Sequence, residues 1–392
     1  MKYAIPLSIP LPPSPSPFIL QVVEGYTVIA RRWRPKRFEE LVGQESIVRA
    51  LSNAVAAKRI AHAYLFVGPR GTGKTSTARL FAMALNCENG PRLDYDPNSP
   101  RCQAIFQGRS MDVIEIDGAS NNSVDQIRAL REECQYAPAE GLYKIYIIDE
   151  VHMLTTAAFN ALLKTLEEPP SHVKFIFATT EIHKVPSTIV SRCQHFQFFP
   201  LETEIIEKHL RHIVDTEKVQ AEDAALYVIA QLAEGGMRDA QSMLDQLLTF
   251  SEGNLTAAAV QSMYGLLDEA EVQNLTGAVE KSDYASILKS IDRIVETGCD
   301  AYRVLRDLEH CFHQKFLDAV KAPEKSTYVP LVYAKILEIL QSGEEQLQRG
   351  LSVRSNLEAI LFRAVECTKL ASIETLLQAF NNLPQDVKKN AC

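Results

Sequence analysis

The sequence has no unbroken apolar run near the roughly 20 residues that a bilayer-crossing helix needs, so no membrane role is expected. It also lacks an excess of positive charge: 41 Lys and Arg stand against 49 Asp and Glu, a formal net charge of −8. Non-specific attraction to nucleic acid is therefore not built into the chain as a whole, and any contact with DNA must come from a local patch. The eight cysteines are scattered and lack the dense framework of a secreted disulfide scaffold, which fits a reducing cytoplasm. Residues 1–25 lack a signal-peptide core, because six prolines interrupt it and no small-residue cleavage site follows. A disordered arm, or an upstream translation start, is expected there. What is present is ample for folding. With 46% hydrophobic residues over 392 positions, two to four domains are expected at about 100–200 residues each.

The chain is organised around Gly68-Pro69-Arg70-Gly71-Thr72-Gly73-Lys74-Thr75, a complete phosphate-binding loop pattern. Ala63 to Val67 before it reads as a buried strand, and Ser76 to Asn86 after it as a helix with Leu80, Phe81, Ala84 and Leu85 on one face. A Gly-rich structural turn would account for the glycines Gly68, Gly71 and Gly73, but not for the strand and helix that flank them. In that setting backbone N–H groups and the helix N-terminus favour a phosphate. Lys74 can reach the β- and γ-phosphates of ATP, and the Thr75 hydroxyl can ligate Mg²⁺.

Further strands are expected at 111–117, 144–150, 174–180 and 195–198, alternating with helices such as the one through Phe159, Leu162, Leu163 and Leu166. Near-continuous apolar strands between helices predict an α/β fold with a parallel sheet covered on both faces. Asp149-Glu150 ends one such strand, where a doubly wound sheet presents its ligand crevice. Asp149 is placed to hold Mg²⁺ and Glu150 to polarise a water that attacks the γ-phosphate. An acidic pair opening a turn is the plainer alternative. Residues 30–38 gather Arg31, Arg32, Arg34, Lys36 and Arg37 around Trp33 and Phe38. They are either an arm facing phosphates or a solvated basic surface.

Asp149-Glu150-Val151-His152-Met153-Leu154, the run Phe159 to Pro170 and Ser191-Arg192-Cys193 together resemble the clamp-loader branch of the AAA+ ATPases, the gamma/tau subunits of bacterial DNA polymerase III above all. Ala30 to Pro35 followed by Val42-Gly43-Gln44 matches the N-terminal hallmark of that family. The resemblance implies a five-stranded AAA+ P-loop NTPase core over 26–200, a helical lid over 201–252, an all-α collar that oligomerises over 253–370 and a tail over 371–392. It implies an ATP hydrolase, a component of a DNA-directed DNA polymerase holoenzyme, that uses ATP and Mg²⁺ to place a sliding clamp on primed DNA beside other loader subunits. By position, Val42 and Gly43 would border the nucleotide, and Thr180, with Thr179 as its near alternative, would be the polar sensor. Arg192 would reach a neighbouring subunit's site, and Arg238, in Gly235-Gly236-Met237-Arg238, would contact the γ-phosphate. From the residues alone, a helix-capping role for the threonine and a surface ion pair for each of Arg192 and Arg238 stay open.

The family's four-cysteine zinc module is incomplete here. Over 87–108 only Cys87 and Cys102 remain, with Asp96 and Ser99 at the middle positions. Structural zinc wants four Cys or His ligands, so zinc is not expected. No long Pro-rich or charged region follows the expected collar in this sequence, so by the resemblance a gamma-like chain is expected. Two other functions remain open. A non-hydrolysing scaffold subunit would show a degenerate phosphate loop, and a Holliday-junction helicase of the same superfamily would carry a winged-helix domain.

Overall fold

The computed structural model describes residues 27–251, 254–322, 326, 328–349 and 352–381. The arm expected over 1–25 and residues 382–392 of the expected tail lie outside them. The chain divides into two compact units. One comprises residues up to Lys218 together with Ile229–Thr249, and the other Val219–Val228 together with residues from Phe250 onward. The segment expected as a lid, 201–252, is thus divided between them.

The first unit is built on β1 (Ala63–Val67), β2 (Val113–Asp117), β3 (Lys144–Asp149), β4 (Val173–Thr179) and β5 (Gln194–Gln197). They form one sheet in the order β2-β3-β4-β1-β5, with every pairing parallel. Its helices are α1 (Ile29–Arg32), α2 (Glu45–Ala56), α3 (Lys74–Asn86), α4 (Pro100–Phe106), α5 (Val124–Glu133), α6 (Thr156–Glu167), α7 (Ser187–Val190) and α8 (Thr203–Thr216). The expected five-stranded parallel α/β core is therefore found. Side chains alternate across a strand, and β1 divides its residues accordingly. Tyr64 and Phe66 pack with Leu80, Phe81 and Leu85 of α3, whereas Ala63, Leu65 and Val67 join Ile127 of α5 and Leu162 and Leu166 of α6. All five β1 residues and all seven of β4 are buried. The outer strands β2 and β5 are part-exposed.

Local chemistry sets where the helices begin. Ser123 and Gln126 form a reciprocal capping box at the start of α5, and the Thr155 hydroxyl accepts from Ala158 N at the start of α6. The helix expected from Ser76 begins at Lys74. Gly73 adopts a left-handed backbone, φ 98°, and turns the chain directly into the first helical residue. β4 ends at Thr179, so Thr180 is the first residue beyond the strand.

Next come α9 (Asp223–Leu232), across which the division between units falls, and α10 (Met237–Phe250). The second unit continues with α11 (Ala257–Tyr264), α12 (Glu269–Glu280), α13 (Tyr284–Thr297), α14 (Ala301–Lys321), α15 (Pro330–Arg349) and α16 (Val353–Asn381). Its core draws Leu275 from α12, Ile287 and Ile291 from α13, Leu305 and Phe312 from α14, Tyr333 and Ile336 from α15, and Leu361 from α16. The sequence pattern makes this half helical throughout. The structure corrects that, because β6 (Gln220–Ala221) and β7 (Asn254–Leu255) pair in parallel. Glu222 N extends the pairing by donating to Leu255 O at 2.9 Å. Strands of two residues carry no period to read.

Candidate nucleotide site

A cavity of about 340 Å³ opens where β1 hands over to α3. Residues 70–76 and the carboxylates of Asp149 and Glu150 form one side of its wall, and Trp33, Leu41, Val42, Leu201 and Met237 supply apolar surface. Its size and mixed lining suit a small ligand with an anionic end and an apolar end.

The polar end follows from the turn at Gly71–Gly73. Gly71 has φ 78°, and a Cβ there would stand 2.8 Å from Gly236 Cα, so only glycine allows the loop to lie against the segment before α10. Lys74 is buried at 6% exposure, and its Nζ donates to the carbonyls of Gly68 and Pro69, each at 2.8 Å. Burial lowers its pKa, while the nearby Glu150 and Asp149 oppose that shift. Thr75 Oγ1 donates to Asp149 Oδ2 at 2.6 Å. A hydroxyl and a carboxylate so close form a pair of hard oxygen donors that fits Mg²⁺. Glu150 itself stands in the left-handed region, φ 46° and ψ 46°, an unusual backbone for a non-glycine residue. Thr180 Oγ1 donates to Glu150 Oε2 at 3.4 Å, whereas Thr179 is fully buried and turns to His152 and Glu181 N.

Val42 lines the cavity. Gly43 lies behind it with φ 73°, where a Cβ would collide with Leu201, and Gly68 contributes a carbonyl to Lys74. Arg238, at the start of α10, also lines the cavity. Arg192 stands apart from it: Nη2 pairs with Glu167 Oε1 at 2.8 Å, and Nη1 donates to Thr188 O at 2.7 Å. Cys87 and Cys102 are buried in the core beside α3. Burial raises both thiol pKa values, and for Cys87 the neighbouring Cys102 adds to the effect. Ser99 is occupied as the N-cap of α4, accepting from Cys102 N. Among the described residues, no three His, Cys, Asp or Glu side chains gather as a metal cluster.

The basic stretch at 30–38 forms part of the wall. Trp33 Nε1 and Arg32 Nη1 donate to the two oxygens of Glu217, each at 3.0 Å, and the Trp33 ring stands edge-on to His209 and His212. That grip turns Arg34 inward to line the cavity. Its pKa falls to about 10, first through burial and then through Arg79, with Arg238 and Arg31 adding to the effect. Arg34 makes no hydrogen bond or ion pair with another described residue. Sequence reasoning missed Glu217, His209 and Gln241 as parts of the site. Glu217 meets Arg32 from 185 positions away, and no local motif marks it. His209 lines the cavity with a pKa lowered first by burial and then by His212.

Three family models match in succession along the chain. They are "DNA polymerase III, delta subunit" over residues 43–202, "DNA polymerase III clamp loader subunit, ATPase lid domain" over 205–253, and "DNA polymerase III subunits gamma and tau domain III" over 255–348. The chain is 38% identical over 386 residues to DNA polymerase III subunit tau of Bacillus subtilis, covering 93% of this chain and 69% of that one. With subunit tau of Escherichia coli it shares 44% identity over 290 residues, 74% of this chain and 45% of the relative. Subunit gamma of Buchnera aphidicola subsp. Acyrthosiphon pisum is 37% identical over 361 residues, 87% of this chain and 99% of the relative. The chain thus spans less than half the length of the Escherichia coli relative. Among solved structures, the Thermotoga maritima RuvB Holliday junction branch migration motor aligns with TM-score 0.45 and 21% identity, over 64% of this chain and 80% of that one.

Proposed function

Because the chain belongs to the DNA polymerase III gamma/tau family of clamp-loader ATPases, we propose that it binds ATP with Mg²⁺ in the cavity beside the phosphate loop and hydrolyses it to load a sliding clamp onto primed DNA. The observation that carries the reading is the convergence of Lys74, Thr75, Asp149 and Glu150 on one end of a nucleotide-sized cavity. Backbone N–H groups of the loop and the Lys74 ammonium would hold the β- and γ-phosphates. Mg²⁺, held by Thr75 and Asp149, would supply divalent charge that draws electron density from the phosphate oxygens when bound. Glu150 would take a proton from the attacking water as its oxygen bonds the γ-phosphorus and the bond to the ADP oxygen breaks. Thr180 would steady that carboxylate. Arg238 and Arg34, both lining the cavity, would offset phosphate charge. Val42, Leu41 and Met237 offer apolar surface for the base, with Gly43 setting the turn behind them.

In this reading residues 26–200 form the AAA+ core, 201–252 the lid and 253–370 the collar. The chain would work in the cytoplasm, in a ring with other loader subunits of a DNA-directed DNA polymerase holoenzyme. Arg192 would serve the neighbouring subunit's site. The 87–108 segment would hold no zinc, because it offers only two thiols, both buried, and Ser99 is committed to capping. Calorimetry on Lys74→Ala tests the central assignment. ATP affinity should fall at least tenfold with the fold intact, and equal affinity in variant and wild type would overturn it.

A further inference from the structure

The turn after β3 does something that the hydrolysis scheme above leaves unused. Glu150 is left-handed, and Val151–Met153 then make one tight helical turn, which throws His152 back against the end of β4. The His152 side chain is only 7% exposed. Its Nδ1 edge lies 3.0 Å from Thr179 Oγ1 and 3.4 Å from Glu150 Oε2, while Nε2 lies 3.4 Å from Glu181 Oε1. Whichever nitrogen carries the proton, one edge of the ring faces the water-activating carboxylate and the other faces a second carboxylate. Glu181 is held in turn from outside. Lys184 pairs with it at 2.9 Å, His183 stands 3.4 Å away, and its own backbone N donates to Thr179 Oγ1 at 3.0 Å.

We propose that His152 is a positioning residue for Glu150, a wedge between the ends of β3 and β4 that fixes the direction of the carboxylate, with Glu181 bracing the ring from behind. The inference rests on Glu150 being the base. A glutamate has three side-chain torsions, and a misplacement of about 1 Å at a reacting group can cost on the order of 10²-fold in rate. Apart from His152, the lateral contact on Oε2 is the Thr180 hydroxyl at 3.4 Å. The ring does not line the nucleotide cavity, so its loss should leave ATP affinity untouched and act on turnover alone.

The test uses the full chain assembled with its clamp-loader partners, measuring both ATP affinity and hydrolysis. His152→Ala should lower kcat by roughly ten- to a hundredfold at unchanged affinity. His152→Asn, which can present an N–H near the position of Nδ1, should recover most of the loss. His152→Phe, which fills the volume without a polar atom, should not. If the ring acts through the carboxylate, adding His152→Ala to Glu150→Gln should cost nothing further. Unchanged turnover in His152→Ala, equal recovery by Phe and Asn, or full additivity with Glu150→Gln would each overturn the positioning role. If Glu150→Gln alone leaves hydrolysis intact, the assignment of the base fails, and the role of His152 falls with it by a separate route.

Discussion

Lys74 carries its charge to a place where burial disfavours it, and nearby Asp149 and Glu150 only partly offset that cost. Its ammonium rests on two loop carbonyls, ready to exchange them for phosphate oxygens. Glu150 sits on a backbone that non-glycine residues rarely adopt, a cost of roughly 1–2 kcal/mol. Such strain is kept where it aims a side chain. Glu150→Gln preserves that shape and removes the base. ATP binding should persist while steady-state turnover in the assembled complex falls by about 10²–10⁴-fold, the usual range for a general base. Unchanged turnover would remove Glu150 from that role. These residues were legible because each lies in a short contiguous motif, 68–75 or 149–150, whose composition is dictated by a phosphate and its metal. Glu217 and His209 were not. His209 is ordinary within α8 and Glu217 just past its end, and both gain meaning only where they meet Trp33.

At the scale of elements, the strands of the core were readable because burial on both faces demands long apolar runs, as in β1 and β4. Their ends were less so, since Thr180 belongs to a strand by composition and to the following turn by geometry. The short segment 29–37 is held by side chains. Arg32 and Trp33 grip Glu217 just past α8, and Ile29 N donates to Asp245 Oδ1 at 3.2 Å. Glu217→Ala should release that grip. The loss of two hydrogen bonds to a part-exposed carboxylate predicts a destabilisation of about 1–2 kcal/mol, read as a shift of the urea midpoint. Because Arg34 follows directly on Trp33, ATP affinity should also fall several-fold. A variant with wild-type stability and affinity would show that the contact is incidental.

For the whole molecule, Arg192 matters most, because it lies apart from its own chain's cavity and rests on Glu167. The pairing is half-exposed, and such surface pairs contribute about 0–1 kcal/mol, so the guanidinium is easily recruited elsewhere. Arg192→Ala should leave ATP affinity of the free chain nearly unchanged. In the assembled ring it should lower hydrolysis by on the order of 10³-fold, the lower end for arginines that reach across to a phosphate. Mixed assemblies should show the defect at the neighbour's site. If the isolated chain loses as much activity as the ring, the arginine acts within its own subunit.

The position of β1 in the sheet has a consequence for how the protein is made. The phosphate loop is read early, yet the strand that bears it lies between β4 and β5, with Leu65 facing Phe177 on one side and His195 on the other. Both neighbours are translated more than a hundred residues after it. A nascent chain that has just released the loop from the ribosome therefore holds the complete motif with neither flanking strand to pair with. Such long-range parallel pairing is slow and leaves an apolar strand open to wrong partners in the meantime. Nucleotide affinity should consequently arrive late and abruptly during synthesis, once the chain has passed β5 and the Arg238 turn, and not when the Gly-Lys-Thr sequence first emerges.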